Sequence, residues 1–213
     1  MIIGIMLTTT LGLINMNEPI IKHNEMVAQL AKSGEAIINE LSPATVHLWH
    51  MATGISGEVG EVGEAIVDED KIDDVDEENM IEELGDIEFY LEGYRQGVNL
   101  SREDTINYTH MTFSQYGKSM DGVIFDYVRL TVAASQLLDA TKKAAAYNKE
   151  INQANVVNAL RDIELYLESI RQHFGIIHEE TLRHNVAKLG KRYKGHNYSN
   201  EQAHARADKT TTS

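Results

Sequence analysis

Glu58 and Glu61 stand three residues apart in GEVGEVGEAI (57–66), and Glu83 and Asp86 repeat that interval in ENMIEELGDIEF (78–89). Residues three apart on a helix share a face, so each pair would project its carboxylates together. Two helices joined by a short loop pack antiparallel, which can set the two pairs opposite one another. Four converging carboxylates repel unless protons or cations neutralise them, and an all-oxygen set suits hard Mg²⁺ or Mn²⁺. For any single glutamate a solvated helix face is the better reading. For the set it is weaker, because residues 55–66 contain no Lys or Arg to compensate the charge. Gly57, Gly60 and Gly63 each weaken a helix by about 1 kcal/mol relative to alanine, which suggests close approach of a second helix or a ligand. Glu83 and Asp86 also adjoin Leu84, Ile87 and Leu91, near a buried edge. Glu64 is read as an orienting outer carboxylate, and Glu82, Glu88 and Glu92 as surface. Neither pair has the histidine three residues on that marks a di-iron bundle, so iron is disfavoured.

The elements that must position these groups are helices. Apolar residues recur at three and four over roughly 20–41, 44–67, 77–97, 122–148, 153–174 and 178–193, and no strand pattern competes. Both prolines, Pro19 and Pro43, precede the glutamates, leaving the chain from Ala44 onward uninterrupted. The fold class is therefore all-α, a helical bundle. The acidic run DEDKIDDVDEEN (68–79) reads as a solvated loop whose Asp74 or Asp76 caps the next helix. It lacks the central glycine and alternating ligands of an EF-hand.

The 213 residues suffice for one ample core or two small ones. A formal net charge of −14 would repel phosphate backbones, so no nucleic-acid partner is expected. The absence of cysteine rules out disulfides and thiolate zinc sites and suits a reducing cytoplasm. Met1 to Leu13 is apolar, but it has no cationic start or clear cleavage site and is too short to span a bilayer. Residues 1–19 are read as a flexible leader, 203–213 as a frayed tail, and no membrane partner is expected.

Between these ends lies a repeat. LGDIEFYLEGYRQ (84–96) aligns with LRDIELYLESIRQ (160–172) at nine identical positions of thirteen. Glu103 and Thr105 face Glu179 and Thr181 further on, and GEVGEVGEAI faces SQLLDATKKA (135–144). The reading is two tandem modules, 20–112 and 113–202.

The order Glu58-x-x-Glu61, a spacer of residues 62–82, then Glu83-x-x-Asp86 resembles the ExxE…ExxD signature of the MazG-like, all-α nucleoside triphosphate pyrophosphohydrolases. HMATGISGEVGEVGEAI and NMIEELGDIEFYLEG look like that family too, particularly its phage-encoded members. NVAKLGKRYKGHNYSNEQAHARADK (185–209) is similar to the tail of many of them. The resemblance implies Mg²⁺-dependent hydrolysis of a nucleoside triphosphate, such as dGTP, dCTP or dUTP, to a monophosphate and pyrophosphate. Glu58, Glu61, Glu83 and Asp86 would hold the metal, with one glutamate as base. Lys188, Lys191 and Arg192 would contact phosphates, and Tyr193 belongs to the same Lys-Arg-Tyr triplet. Tyr90, Trp49 and His50 are placed to meet ribose or base, with core packing the equal alternative.

Each module departs from the pattern differently. The second has Gln136, Asp139, Ala159 and Asp162 at the ligand positions, while the first has roughly SQY (114–116) where the second has its basic tail. The expectation is a fused pseudo-dimer with one composite site, two such chains associating further as a homo-oligomer in the cytoplasm, a host's where the gene is phage-borne. The alternatives are a phosphoribosyl-ATP-type pyrophosphohydrolase and a catalytically inactive acidic helical protein that binds nucleotides or another protein.

Overall fold

The structure, a computed structural model, describes residues 22–67, 75–106 and 119–209. Every regular element among the described residues is helical: α1 (His23–Leu30), α2 (Gly34–Ile38), α3 (Pro43–Val67), α4 (Glu77–Gly97), α5 (Arg102–Thr105), α6 (Met120–Tyr147), α7 (Gln153–Phe174), α8 (His178–Arg192) and α9 (Asn200–Ala205). Five of the six expected helices match within two residues. The sixth, over 20–41, is instead two short helices, because the Ser33 hydroxyl accepts from the Ala36 amide and starts a new helix there. Lys32 pins the break to α6 by donating to Glu40 (2.6 Å) and to the Ala146 carbonyl (2.8 Å). The leader, residues 68–74 of the acidic loop, and the SQY segment lie outside the described residues. Asp76 caps α4 by accepting from the Asn79 amide.

The long helices α3, α4, α6 and α7 form the bundle. Apolar residues at three- and four-residue intervals turn inward: Leu48, Met51, Ile55, Val59, Val62 and Ile66 on α3, and Leu84, Ile87, Leu91 and Tyr94 on α4. They join Leu130 and Leu137 of α6 and Leu160, Ile163 and Leu167 of α7 in one continuous core. Helices α3 and α4 run antiparallel, with Leu48 against Gly97, Met51 against Gly93 and Gly54 against Tyr90. Helix α6 packs on α7 with the same sense, Asp126 accepting from Ser169 (2.6 Å) and Arg129 donating to Tyr166 (3.1 Å).

The aligned segments meet through reciprocal buried ion pairs. Arg95 on α4 pairs with Glu164 on α7, and Arg171 on α7 pairs with Glu88 on α4 (2.9 Å). Arg102 adds a second contact to Glu164 (3.2 Å), and His178, its counterpart, lies 3.2 Å from Glu88. Glu88 is thus buried, 3 % exposed, not on the surface as its helix position suggested. Burial alone would raise its carboxyl, but His178 and Arg171 hold it below the usual carboxylate range. No helix among the described residues is long and apolar enough to cross a membrane.

Candidate metal centre and its cationic wall

Because α3 and α4 are antiparallel, Glu58 comes to face Glu83 and Asp86. One carboxylate oxygen from each of the three lies within 4.8 Å of the others, the one such trio among the described residues. Glu83 is buried and the other two are half-buried. Glu61 lines the same cavity but is exposed and stands outside the converged oxygens, and Glu64 is exposed away from the cavity. Burial, then the neighbouring charges of Asp86, Glu61 and Glu83, push the Glu58 carboxyl up to about 7. Burial, then Glu61 and Asp86, push Glu83 to about 7 as well. Each proton held there stands where a cation would do the same neutralising work.

Helix α8 forms the opposite wall, and Gly85 lets it in. A side chain at Gly85 would sit 2.9 Å from the Thr181 carbonyl and 3.1 Å from Asn185 Cβ, so only glycine permits this approach of α8 to α4. The corresponding residue on α7 is Arg161, which donates to the Asp104 carbonyl (3.4 Å). With α8 seated, Asn185 Nδ2 donates to Asp86 Oδ1 (2.7 Å), and Lys188 donates to Asp86 Oδ2 and lies 2.7 Å from Glu82 Oε1. Glu82 also accepts from Lys209 (2.8 Å). Burial would raise the Glu82 carboxyl, but the lysine hydrogen bonds outweigh it and hold it down at about 2.

The residues after α8 return to this cavity. Arg206 adopts φ 45°, a left-handed conformation that costs a non-glycine residue of order 1 kcal/mol or more. It ends α9 and turns Asp208 back to Arg192, whose Nε and Nη2 donate to its two carboxylate oxygens at 2.7 and 2.6 Å. Residues 203–209 are therefore anchored where fraying was expected, while 210–213 lie outside the described residues.

A cavity of about 760 Å³ lies between these walls, the size of a small-molecule site. It brings together Glu58, Glu61, Glu83, Asp86, Lys188, Arg192, Tyr193, Tyr90 and His50 from the sequence reading. Lys191 is exposed and Trp49 half-buried, and neither lines it. The Tyr90 ring fills the space over Gly54, where a Cβ would approach to 2.4 Å, and His50 meets it edge-on at 5.9 Å. Tyr193 packs on Tyr198 at 5.7 Å. Sequence reasoning missed Asn185, Glu82, Arg206 and Lys209. The signal for Asn185 is its place one turn before Lys188, and Arg206 and Lys209 share the same interval. Of the three glycines in GEVGEVGEAI, Gly63 alone is closely approached, by the Tyr127 hydroxyl; Gly57 and Gly60 face open space.

The matching region of the second half holds a different cavity, about 510 Å³, lined by Gln136, Asp139, Lys143 and three asparagines, with Lys143 paired to Asp139 at 2.5 Å. The described residues thus form a helical bundle in which a converged carboxylate trio faces a wall of cations. No family model matches this chain, and comparison with characterised proteins and with solved structures gives no match either.

Proposed function

We propose that the protein is a Mg²⁺-dependent nucleoside triphosphate pyrophosphohydrolase of the MazG-like type, built from a duplicated helical module. The observation that carries this reading is the opposition, across one cavity, of the Glu58–Glu83–Asp86 trio and the cationic side chains Lys188, Arg192, Arg206 and Lys209. A metal triphosphate has the complementary chemistry: a hard cation for the oxygens and a polyanion for the ammonium and guanidinium groups. The donor set fits Mg²⁺ or Mn²⁺, since it is all carboxylate, and a cationic nitrogen already rests on Asp86.

When bound, such an ion neutralises the phosphates and lowers the pKa of an attacking water. The chain's own groups have separable tasks. Glu58, Glu83 and Asp86 would hold the ion. Of the two cavity carboxylates outside the trio, Glu82 is held by Lys188 and Lys209, which leaves Glu61 to accept a proton from water. Lys188, Lys209 and Arg206 would meet the triphosphate. Arg192, tied to Asp208, would act as a fixed charge and brace for the tail. His50 and the Tyr90 ring offer edges and faces to a base or ribose.

The reciprocal pairs Arg95–Glu164 and Arg171–Glu88 support duplication, because residues matched by the repeat play the same part toward each other. Asn185 and Lys188, from the second repeat's side of the chain, reach Asp86 on the first, which supports a composite site. The test is incubation with each nucleoside triphosphate and Mg²⁺, with and without EDTA. The expected result is metal-dependent release of monophosphate and pyrophosphate, and no product from any nucleotide would leave the binding-protein alternative in its place.

A further inference from the structure

Both oxygens of Asp86 are engaged by the protein's own donors, Oδ1 by Asn185 and Oδ2 by Lys188. Lys188 is 8 % exposed and its ammonium spans two carboxylates one helical turn apart, Asp86 and Glu82. For Asp86 to join Glu58 and Glu83 around a divalent cation, Lys188 must leave it, because an ammonium and a dication on one carboxylate repel strongly at this burial. An ammonium that stays buried without a carboxylate partner is costly. Glu82 is already in contact with it, and its carboxylate faces the same cavity.

We propose that Lys188 is a resident counter-ion that the metal displaces from Asp86, and that Glu82 is the positioning residue that receives it. The inference rests on the metal-binding reading above and adds a specific exchange to it. In the metal-free protein, Lys188 neutralises Asp86 and keeps the trio from flying apart. As the ion enters, the ammonium shifts its weight to Glu82 and turns its remaining N–H groups into the cavity, where the phosphates of a substrate lie. Metal entry and the exposure of a phosphate-binding lysine are then one event. Glu82, which also ties down Lys209, holds both lysines at the cavity wall without touching the ion.

The exchange predicts opposite signs for two neighbouring substitutions. Mn²⁺ binding is measured on the full chain without nucleotide, by the loss of the free-ion electron paramagnetic resonance signal, with melting curves confirming each variant's fold. Lys188→Met removes the competitor and is expected to tighten Mn²⁺ binding about five- to tenfold, while weakening the binding of magnesium pyrophosphate. Glu82→Gln leaves the lysine with Asp86 alone and is expected to weaken Mn²⁺ binding about as much. In the Lys188→Met background, Glu82→Gln should change Mn²⁺ affinity less than about twofold, since the residue it positions is gone. Lys188→Gln serves the same comparison if the methionine variant does not fold. Weaker Mn²⁺ binding in both single variants, or an equal Glu82→Gln effect in both backgrounds, would overturn the exchange and leave the metal site standing. Failure of the unaltered chain to bind Mn²⁺ at millimolar concentration would overturn the metal-site reading itself.

Discussion

Burial and the neighbouring carboxylates Glu61 and Asp86 push the Glu58 and Glu83 carboxyls up to about 7, and this has a sign in stability. A carboxyl whose folded-state pKa is raised binds its proton more tightly in the folded chain, so its contribution is full below the ordinary value of 4.5 and is lost as pH rises through about 7. The metal-free melting temperature should fall between pH 5 and 8, Mg²⁺ should restore most of the loss at pH 8, and Glu58→Gln should flatten the slope. A melting temperature that is independent of pH, or a Mg²⁺ effect equally large at pH 5, would contradict this. The same scale explains which site residues were legible. A step of three residues on a helix turns a side chain by about 60° from its predecessor, and a step of four by about 40° the other way. Glu83 and Asp86 tolerate that offset beside the core, while Glu61 rotates outward from Glu58 into exposure. Arg192, four on from Lys188, keeps to the cavity, whereas Lys191, three on, leaves it. Lys191→Ala should therefore leave turnover within about twofold, and Glu83→Gln should lower it by about a hundredfold or more.

At the scale of elements, the site depends on how closely α8 approaches α4. Gly85→Val puts side-chain atoms into the Thr181 carbonyl and Asn185, so α8 must move away and carry Asn185 and Lys188 off Asp86. Overpacking of this kind costs about 1–3 kcal/mol, too little to unfold the bundle. The expected outcome is unchanged helical circular dichroism, a lowered melting temperature, and nucleotide binding weakened at least tenfold. Unchanged nucleotide affinity would mean that α8 is not the wall of the site. The long helices were legible because their apolar periodicity runs for several turns, as in Leu84, Ile87 and Leu91. Helices α5 and α9, of 4 and 6 residues, are too short to show a period and depend on the caps Ser101 and Ser199. The break between α1 and α2 depends on a capping serine inside a continuous apolar pattern, where periodicity alone cannot see it. Gly85 was hidden differently: a lone glycine among helix formers shows its purpose only when the neighbour that presses on it is known.

At the scale of the molecule, the two halves are joined by a shared apolar core and by crossed, buried charges. Nine identities between LGDIEFYLEGYRQ and LRDIELYLESIRQ were legible as a repeat, but their reason was not. Arg95, Glu88, Arg171 and Glu164 stand at matched positions of the two segments, and each segment supplies the charge that the other buries. Removing one partner strands the other, so Arg171→Met should destabilise the chain by about 3–5 kcal/mol, and Arg171→Met with Glu88→Gln by distinctly less. Chemical denaturation of the two variants checks this; equal losses would show that the pair is not coupled. Because α8 reaches across to α4 within one chain, mixing inactive Glu83→Gln with inactive Arg192→Ala should recover no activity, and recovered activity would place the site between chains. The central claim, that this bundle cleaves a nucleoside triphosphate with a carboxylate-held metal, is tested most directly by phosphorus nuclear magnetic resonance of the reaction products. With Mg²⁺ and an accepted nucleotide, the account predicts paired growth of monophosphate and pyrophosphate signals, absent with EDTA and in Glu83→Gln. Inorganic phosphate with a diphosphate product, or the same products without metal, would contradict it.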